Sequence, residues 1–164
     1  MPKNAHCSYC GAAFAREQPW PRTCAGCGTM SFANPTPVGV LLLPVDDGLL
    51  VVRRAIEPKK GQLALPGGFL ELDETWQEGV ARELLEETGI RIGADVVREL
   101  AVRSAPGGLL LVFGQAPAIS LRDLPTFLPN PEVSELRIID APEPLAFPLH
   151  EEVVGRWFQQ QRAR

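Results

Sequence analysis

The stretch Arg82-Glu83-Leu84-Leu85-Glu86-Glu87-Thr88-Gly89-Ile90 constrains this chain most, because it sets three carboxylates beside an apolar stripe on one short helix. Asp73-Glu74-Thr75 offer caps and Gly89 a stop, so a helix is predicted over about Thr75 to Glu87. At about 100° per residue, Glu83, Glu86 and Glu87 fall within roughly a 100° arc. Their mutual repulsion is unfavourable without cations, and hard cations such as Mg²⁺ take oxygen ligands. By spacing alone the same arc would suit a solvated acidic face. Val80, Ala81 and Leu84 adjoin it, so the helix is expected to pack on a sheet with the glutamates at the border. There they would face Pro66-Gly67-Gly68, read as a loop whose glycines let backbone groups approach a metal or phosphate.

The surrounding pattern supplies that sheet. Val38-Gly39-Val40-Leu41-Leu42-Leu43 and Leu49-Leu50-Val51-Val52 read as strands separated by Asp46-Asp47-Gly48, a hairpin signal. Gly61 to Leu65 adds a short strand, and Val96 to Val102, Leu109 to Phe113 and Leu136 to Ile139 add three more. Leu124 to Pro131 is proline-punctuated loop, and Leu149 to Gln161 a last helix with Val153, Val154, Trp157 and Phe158 on one side. These elements predict an α/β domain, a mixed sheet packed between helices. A chain of 164 residues with 45% hydrophobic content can bury one ordinary core beside a small module stabilised by other means.

The cysteines mark that module. Cys7-Ser8-Tyr9-Cys10 and Cys24-Ala25-Gly26-Cys27 are two CxxC pairs 13 residues apart, a spacing suited to a tetrahedral Cys₄ site for Zn²⁺. Four thiolates leave no open position, so the zinc would be structural. The segment resembles a zinc ribbon, and the predicted division is 1–33 for the ribbon and 34–164 for the main domain. Lys3, Arg16 and Arg22 against Glu17 provide little basic surface, and the net charge is −4, so packing or dimerisation is expected of the ribbon and nucleic acid is not an expected partner. The most apolar run, Val38 to Val45, is too short to span a bilayer, and the N-terminus lacks a secretory signal; a cytoplasmic protein is expected.

Gly68, five residues, Glu74, seven residues, Arg82-Glu83, Leu84, one residue, Glu86-Glu87, one residue, Gly89 and Ile90 match the Nudix box at all nine specified positions across 23 residues. The resemblance implies an α/β/α sandwich that hydrolyses a nucleoside diphosphate linked to a further moiety. It implies Glu83, Glu86 and Glu87 as ligands of Mg²⁺ or Mn²⁺, with the Gly68 carbonyl contributing, Glu74 assisting and Arg82 orienting the glutamates. The general base varies in this family between a box glutamate and one on a later loop. Pro129-Asn130-Pro131-Glu132-Val133-Ser134-Glu135 is where this chain could supply one, with Glu135 favoured and Glu132 second.

A ribbon ahead of such a domain resembles the NADH pyrophosphatase branch and related groups acting on ADP-ribose or FAD. The Ser-Gln-Pro-Trp signature of NADH pyrophosphatases is absent, Arg103-Ser104-Ala105-Pro106 standing in its region. A proline near that distance recurs in ADP-ribose pyrophosphatases, so Pro106 tilts the expected substrate toward ADP-ribose. Arg53 and Arg54, at a strand end, are candidates for substrate phosphates. The expected partner is thus a small nucleotide, cleaved to a nucleoside monophosphate, and family members are often homodimers. Two alternatives stay open: a housecleaning enzyme for nucleoside triphosphates, and a non-catalytic nucleotide sensor or nucleic-acid-binding protein, against which the intact glutamates argue.

Overall fold

Two knuckles of the same construction organise the first of two units, Met1–Pro35, in the computed structural model, which describes residues 4–163. Lys3 lies outside the described residues. The Cys7 N–H donates to the Ala12 carbonyl at 2.8 Å and the Gly11 N–H to the Cys7 carbonyl at 2.9 Å; Cys24 with Thr29, and Gly28 with Cys24, repeat the pattern at 2.9 and 2.8 Å. Each turn closes on a glycine in the left-handed region, φ 76° at Gly11 and 75° at Gly28, where a Cβ would be strained. The second knuckle is the tip of a hairpin between β1 (Arg22–Thr23) and β2 (Met30–Ser31). The Arg22 guanidinium lies 4.4 Å from the Trp20 ring centroid and 5.5 Å from that of Phe14. With so few buried groups, the unit depends on a staple.

The second unit, Thr36–Arg164, runs β3 (Thr36–Leu42), β4 (Pro44–Val45), β5 (Gly48–Arg54), β6 (Leu63–Ala64), β7 (Gly67–Phe69), α1 (Trp76–Thr88), β8 (Arg98–Ala105), β9 (Leu109–Gln115), β10 (Val133–Ile139) and α2 (Pro148–Arg162). One sheet has the order β7-β3-β9-β8 and is mixed, because β3 and β9 are parallel. The other is antiparallel, in the order β10-β5-β4, with β6 also on β5. Alternation along the strands divides the core. Val40, Leu42, Leu49 and Val51 pack with Val153, Val154, Trp157 and Phe158 of α2, whereas Leu41, Leu43 and Leu50 pack with Val80 and Leu84 of α1. The result is the expected α/β/α sandwich.

The chain changes sheets at Leu43. The hairpin at Asp46-Asp47-Gly48 therefore joins β4 to β5, where the sequence suggested that it follows β3 directly. Leu41, Leu42 and Leu43 are each fully buried, so this run has apolar neighbours on both faces; β9 lies beside Leu41 and Leu42, and β5 is met only at Leu43, whose carbonyl accepts the Leu50 N–H at 3.0 Å. Gly67 and Gly68, expected in a loop with Pro66, open strand β7 (Gly67–Phe69), with Gly68 opposite Gly39. Only glycine suits its first position: φ is 148° at Gly67, and a Cβ there would run into the Gly39 carbonyl and the Val40 Cα. The strand expected from Val96 starts at Arg98, because Ala94–Val96 form a 3₁₀ turn, and it continues to Ala105. Helix α1 is capped by Thr75, whose hydroxyl accepts the Glu78 N–H while the Glu78 carboxylate accepts the Thr75 N–H; Glu74 stands outside the cap. Gly89 ends it in the left-handed region.

Candidate active site

Val80 and Leu84, fully buried, fix the rotation of α1 about its axis and turn Glu83 and Glu87 toward β7. The Glu87 side chain is buried, with 7% of the residue exposed, and its Oε2 accepts the Gly67 N–H at 3.0 Å. Burial pushes its carboxyl up to about 8, and the nearby charges of Glu83 and Glu132 act in the same direction. Burial likewise raises Glu83, against the pull of Arg82. Glu83 occupies the space that a side chain at Gly68 would need, since a Cβ there would stand 2.5 Å from its carboxylate.

Arg82 gathers the rest. It donates from Nε to Glu74 at 3.1 Å and from Nη2 to Glu74 at 2.8 Å, to Glu83 at 2.9 Å, to Glu86 at 3.2 Å and to the Phe69 carbonyl at 3.1 Å. The two bonds to Glu74, with the Glu71 N–H at 2.7 Å, hold the Glu74 carboxyl below its ordinary range. Three box glutamates thus converge on one guanidinium, and the fourth, Glu87, sits behind them on the glycine strand.

The later loop supplies a further carboxylate, and it is Glu132. Glu86, Glu87, Asn130, Pro131 and Glu132 line one cavity of about 150 Å³. Glu135, favoured on sequence, lies outside it: directly across the β5–β10 ladder stands Arg53, whose Nε meets the Glu135 carboxylate at 2.5 Å. Arg53 is further committed to the Gly61 carbonyl at 2.9 Å. Arg54 donates to the Pro58 carbonyl at 2.8 Å and places its guanidinium 5.3 Å from the Phe147 ring, with its charge felt at Glu87 and His150.

Pro106 borders a second, apolar cavity of about 460 Å³, lined also by Val38, Leu111, Phe147, Leu149 and His150. Val38 pairs with Phe69 across β3 and β7, so this cavity adjoins the box strand. His150 is buried; its Nδ1 accepts the Leu65 N–H at 3.3 Å, which leaves its proton on Nε2. Burial pulls its pKa down to about 4, and the Arg54 charge adds to that. Sequence reasoning missed Asn130 and His150. An asparagine three residues ahead of a β-run and set between two prolines is a turn signal; His150, one of only two histidines, carries no comparable mark.

In the N-terminal unit the Sγ atoms of Cys7, Cys10, Cys24 and Cys27 all lie within 4.8 Å of one another, the only such group of three or more metal-ligating side chains among the described residues. At 3.8 Å between Cys7 and Cys27 and 3.5 Å between Cys10 and Cys24 they are not disulfides, and they fit a tetrahedral ribbon site. The Thr29 hydroxyl, 3.3 Å from Cys27 Sγ, and the Thr29 N–H hold that thiol down to about 6, favouring the thiolate that metals bind.

An α/β/α sandwich that aims a glutamate helix at a glycine strand defines a Nudix hydrolase. The chain belongs to the Nudix family: the model of the NUDIX domain matches residues 34–160. It aligns over 96% of its length with 92% of a NUDIX hydrolase crystal structure from Nitrosomonas europaea, at a TM-score of 0.79 and 30% identity. An ADP-ribose pyrophosphatase of Methanocaldococcus jannaschii is 47% identical over 49 residues, 30% of this chain and 29% of that one. The NAD-capped RNA hydrolase NudC of Klebsiella pneumoniae subsp. pneumoniae is 31% identical over 87 residues, 52% and 34% of the two chains. The chain spans about a third of the length of these two curated relatives. No helix among the described residues is long and apolar enough to cross a membrane.

Proposed function

We propose that this Nudix hydrolase cleaves the pyrophosphate bond of a nucleoside diphosphate derivative of the ADP-ribose, NADH or FAD class and releases a nucleoside monophosphate. The observation that carries the reading is the Glu83–Glu87 pair tucked against Gly67 and Gly68, where two carboxylates withdrawn from solvent border two residues that have no side chains. Their oxygens, with Glu86 and the Gly68 carbonyl, fit a hard divalent cation, Mg²⁺ or Mn²⁺, with Glu74 assisting through Arg82. Bound there, the cation would neutralise diphosphate charge and acidify a water molecule. Arg82 orients Glu74, Glu83 and Glu86, and its five donors suit that task better than a lysine would. The water oxygen forms a new bond to phosphorus as the anhydride P–O bond breaks. The leaving phosphate keeps the bonding electrons, and the water proton passes to Glu132.

The apolar cavity beside Phe69 suits a planar group of the substrate: Phe147 presents a ring, Pro106 and Leu111 apolar walls, and His150 a hydrogen-bond donor. The names of the two curated relatives support dinucleotide-like substrates. The cysteine quartet is assigned a structural Zn²⁺ within a ribbon over 1–33, ahead of a catalytic domain over 34–164, and four unbridged thiols suit a reducing cytoplasm.

The test incubates the chain with Mg²⁺ or Mn²⁺ and, separately, ADP-ribose, NADH, FAD and nucleoside triphosphates, then identifies the products. Release of a nucleoside monophosphate from a dinucleotide or ADP-ribose is expected, and Glu86→Gln should largely abolish it. Turnover confined to triphosphates, or tight binding with no turnover, overturns the reading.

A further inference from the structure

We propose that Asn130 is a positioning residue that clamps the turn bearing Glu132 onto the end of the glutamate helix, so that base and metal ligands move as one body. The inference rests on the reading of Glu132 as proton acceptor. The Asn130 amide works in both directions. Its Nδ2 donates to the Glu87 carbonyl at 3.0 Å and the Glu86 carbonyl at 3.3 Å. These lie beyond the Gly89 N–H to Leu85 bond that closes α1, among the last carbonyls that a helix cannot satisfy by itself. Its Oδ1 accepts the Glu132 N–H at 2.9 Å and the Val133 N–H at 2.8 Å, and its own N–H donates to the Val133 carbonyl at 2.9 Å.

Glu132 is thereby held on both sides of its backbone, because its carbonyl accepts the Ala55 N–H at 2.7 Å. Pro129 and Pro131 flank the asparagine and restrict the turn further. The Glu132 side chain, by contrast, makes no hydrogen bond or ion pair among the described residues. A fixed backbone with a free carboxylate suits a group that must reach a water molecule. An aspartate at 130 could close the turn but could not donate to α1, and it would add negative charge at the negative end of the helix dipole.

A double-mutant cycle separates a clamp acting through Glu132 from an ordinary turn residue. The substrate is whichever of ADP-ribose, NADH, FAD or a nucleoside triphosphate the unmodified chain turns over. Asn130→Ala should lower kcat by roughly 10- to 100-fold with KM little changed, since a displacement of about 1 Å has costs of that order. In a Glu132→Gln background the same change should produce no further loss. Asn130→Ser keeps an acceptor for the turn but cannot reach α1; it should lose kcat as Ala does, and it serves should Ala impair folding.

Additive losses, or full activity in Asn130→Ser, would overturn the clamp while leaving Glu132 as base. A Glu132→Gln variant with unaltered kcat would overturn the base assignment, and the clamp with it.

Discussion

The backbone N–H of Gly67 donates to Oε2 of Glu87 at 3.0 Å, joining the strand that opens the Nudix box to the helix that closes it. One residue along the strand, Gly68 faces Glu83, one turn back along the helix. Two adjacent glycines thus seat two ligand candidates, for different reasons.

Alanine substitutions should separate those reasons. At Gly68 the added Cβ meets the far end of a flexible side chain, Glu83, which can swing aside. Gly68→Ala should keep its melting temperature within a few degrees and lose most of its kcat. At Gly67 the clash is with backbone and φ is 148°, so Gly67→Ala should be destabilised by roughly 1–3 kcal/mol. Thermal melts beside steady-state kinetics decide it; equal destabilisation of both variants would refute the distinction.

Glu87 should impose a pH dependence on the chain without added divalent cation. Its carboxyl titrates near 8 when folded and near 4.5 when unfolded, so between those values the folded state holds a proton that the unfolded state has released. Stability from this group is therefore present below 4.5 and falls as pH rises through about 8. Denaturant midpoints across that window should drift downward, saturating Mg²⁺ should oppose the drift by binding the ionised form, and Glu87→Gln should remove it. The same slope in Glu87→Gln would dismiss Glu87 as its source.

His150 should act with the opposite sign. Its pKa falls from 6.5 unfolded to about 4 folded, so its contribution is complete above 6.5 and is lost as pH drops toward 4. That difference corresponds to roughly 3 kcal/mol at most. Replacement by a non-titrating side chain should flatten the acid limb of the stability profile. It should also weaken the fold at neutral pH, because the buried Leu65 N–H loses its acceptor. An unchanged acid limb would rule out this titration.

Removing one thiol tests the ribbon. Cys24→Ser should reduce bound zinc well below the one equivalent expected of the unmodified chain. The amide protons of Cys7, Gly11 and Gly28, which close the two knuckles, should then exchange rapidly. Metal analysis with hydrogen exchange gives both readings, and a full equivalent of zinc retained in the variant would remove Cys24 from the ligand set.

Much of the architecture was legible in order of sequence. Thr75 and Gly89 bound α1 as local capping chemistry requires, the CxxC pairs with their trailing glycines form matched knuckles, and alternation along β3 and β5 assigns residues to two cores. Arg82, Glu83, Glu86 and Glu87 come together because spacing along one helix already places them so. Local composition at Pro66-Gly67-Gly68 speaks only of a turn, whereas the two glycines pair with β3 nearly thirty residues back.

The sequence by itself thus determined the family, the glutamate helix and the thiolate quartet, all of which depend on groups within a few turns or knuckles of one another. Tertiary structure alone decided that Glu132 and not Glu135 lines a cavity with Glu86 and Glu87, through the β5–β10 register that sets Arg53 opposite Glu135 and through an Asn130 bond spanning 43 positions to Glu87. It alone buried His150 against Leu65, 85 positions away. Capping, turn and periodicity preferences act over a few residues. Which distant strand or loop lies alongside is settled only when the whole core packs, and there the Glu132 turn and the apolar cavity beside β7 take their places.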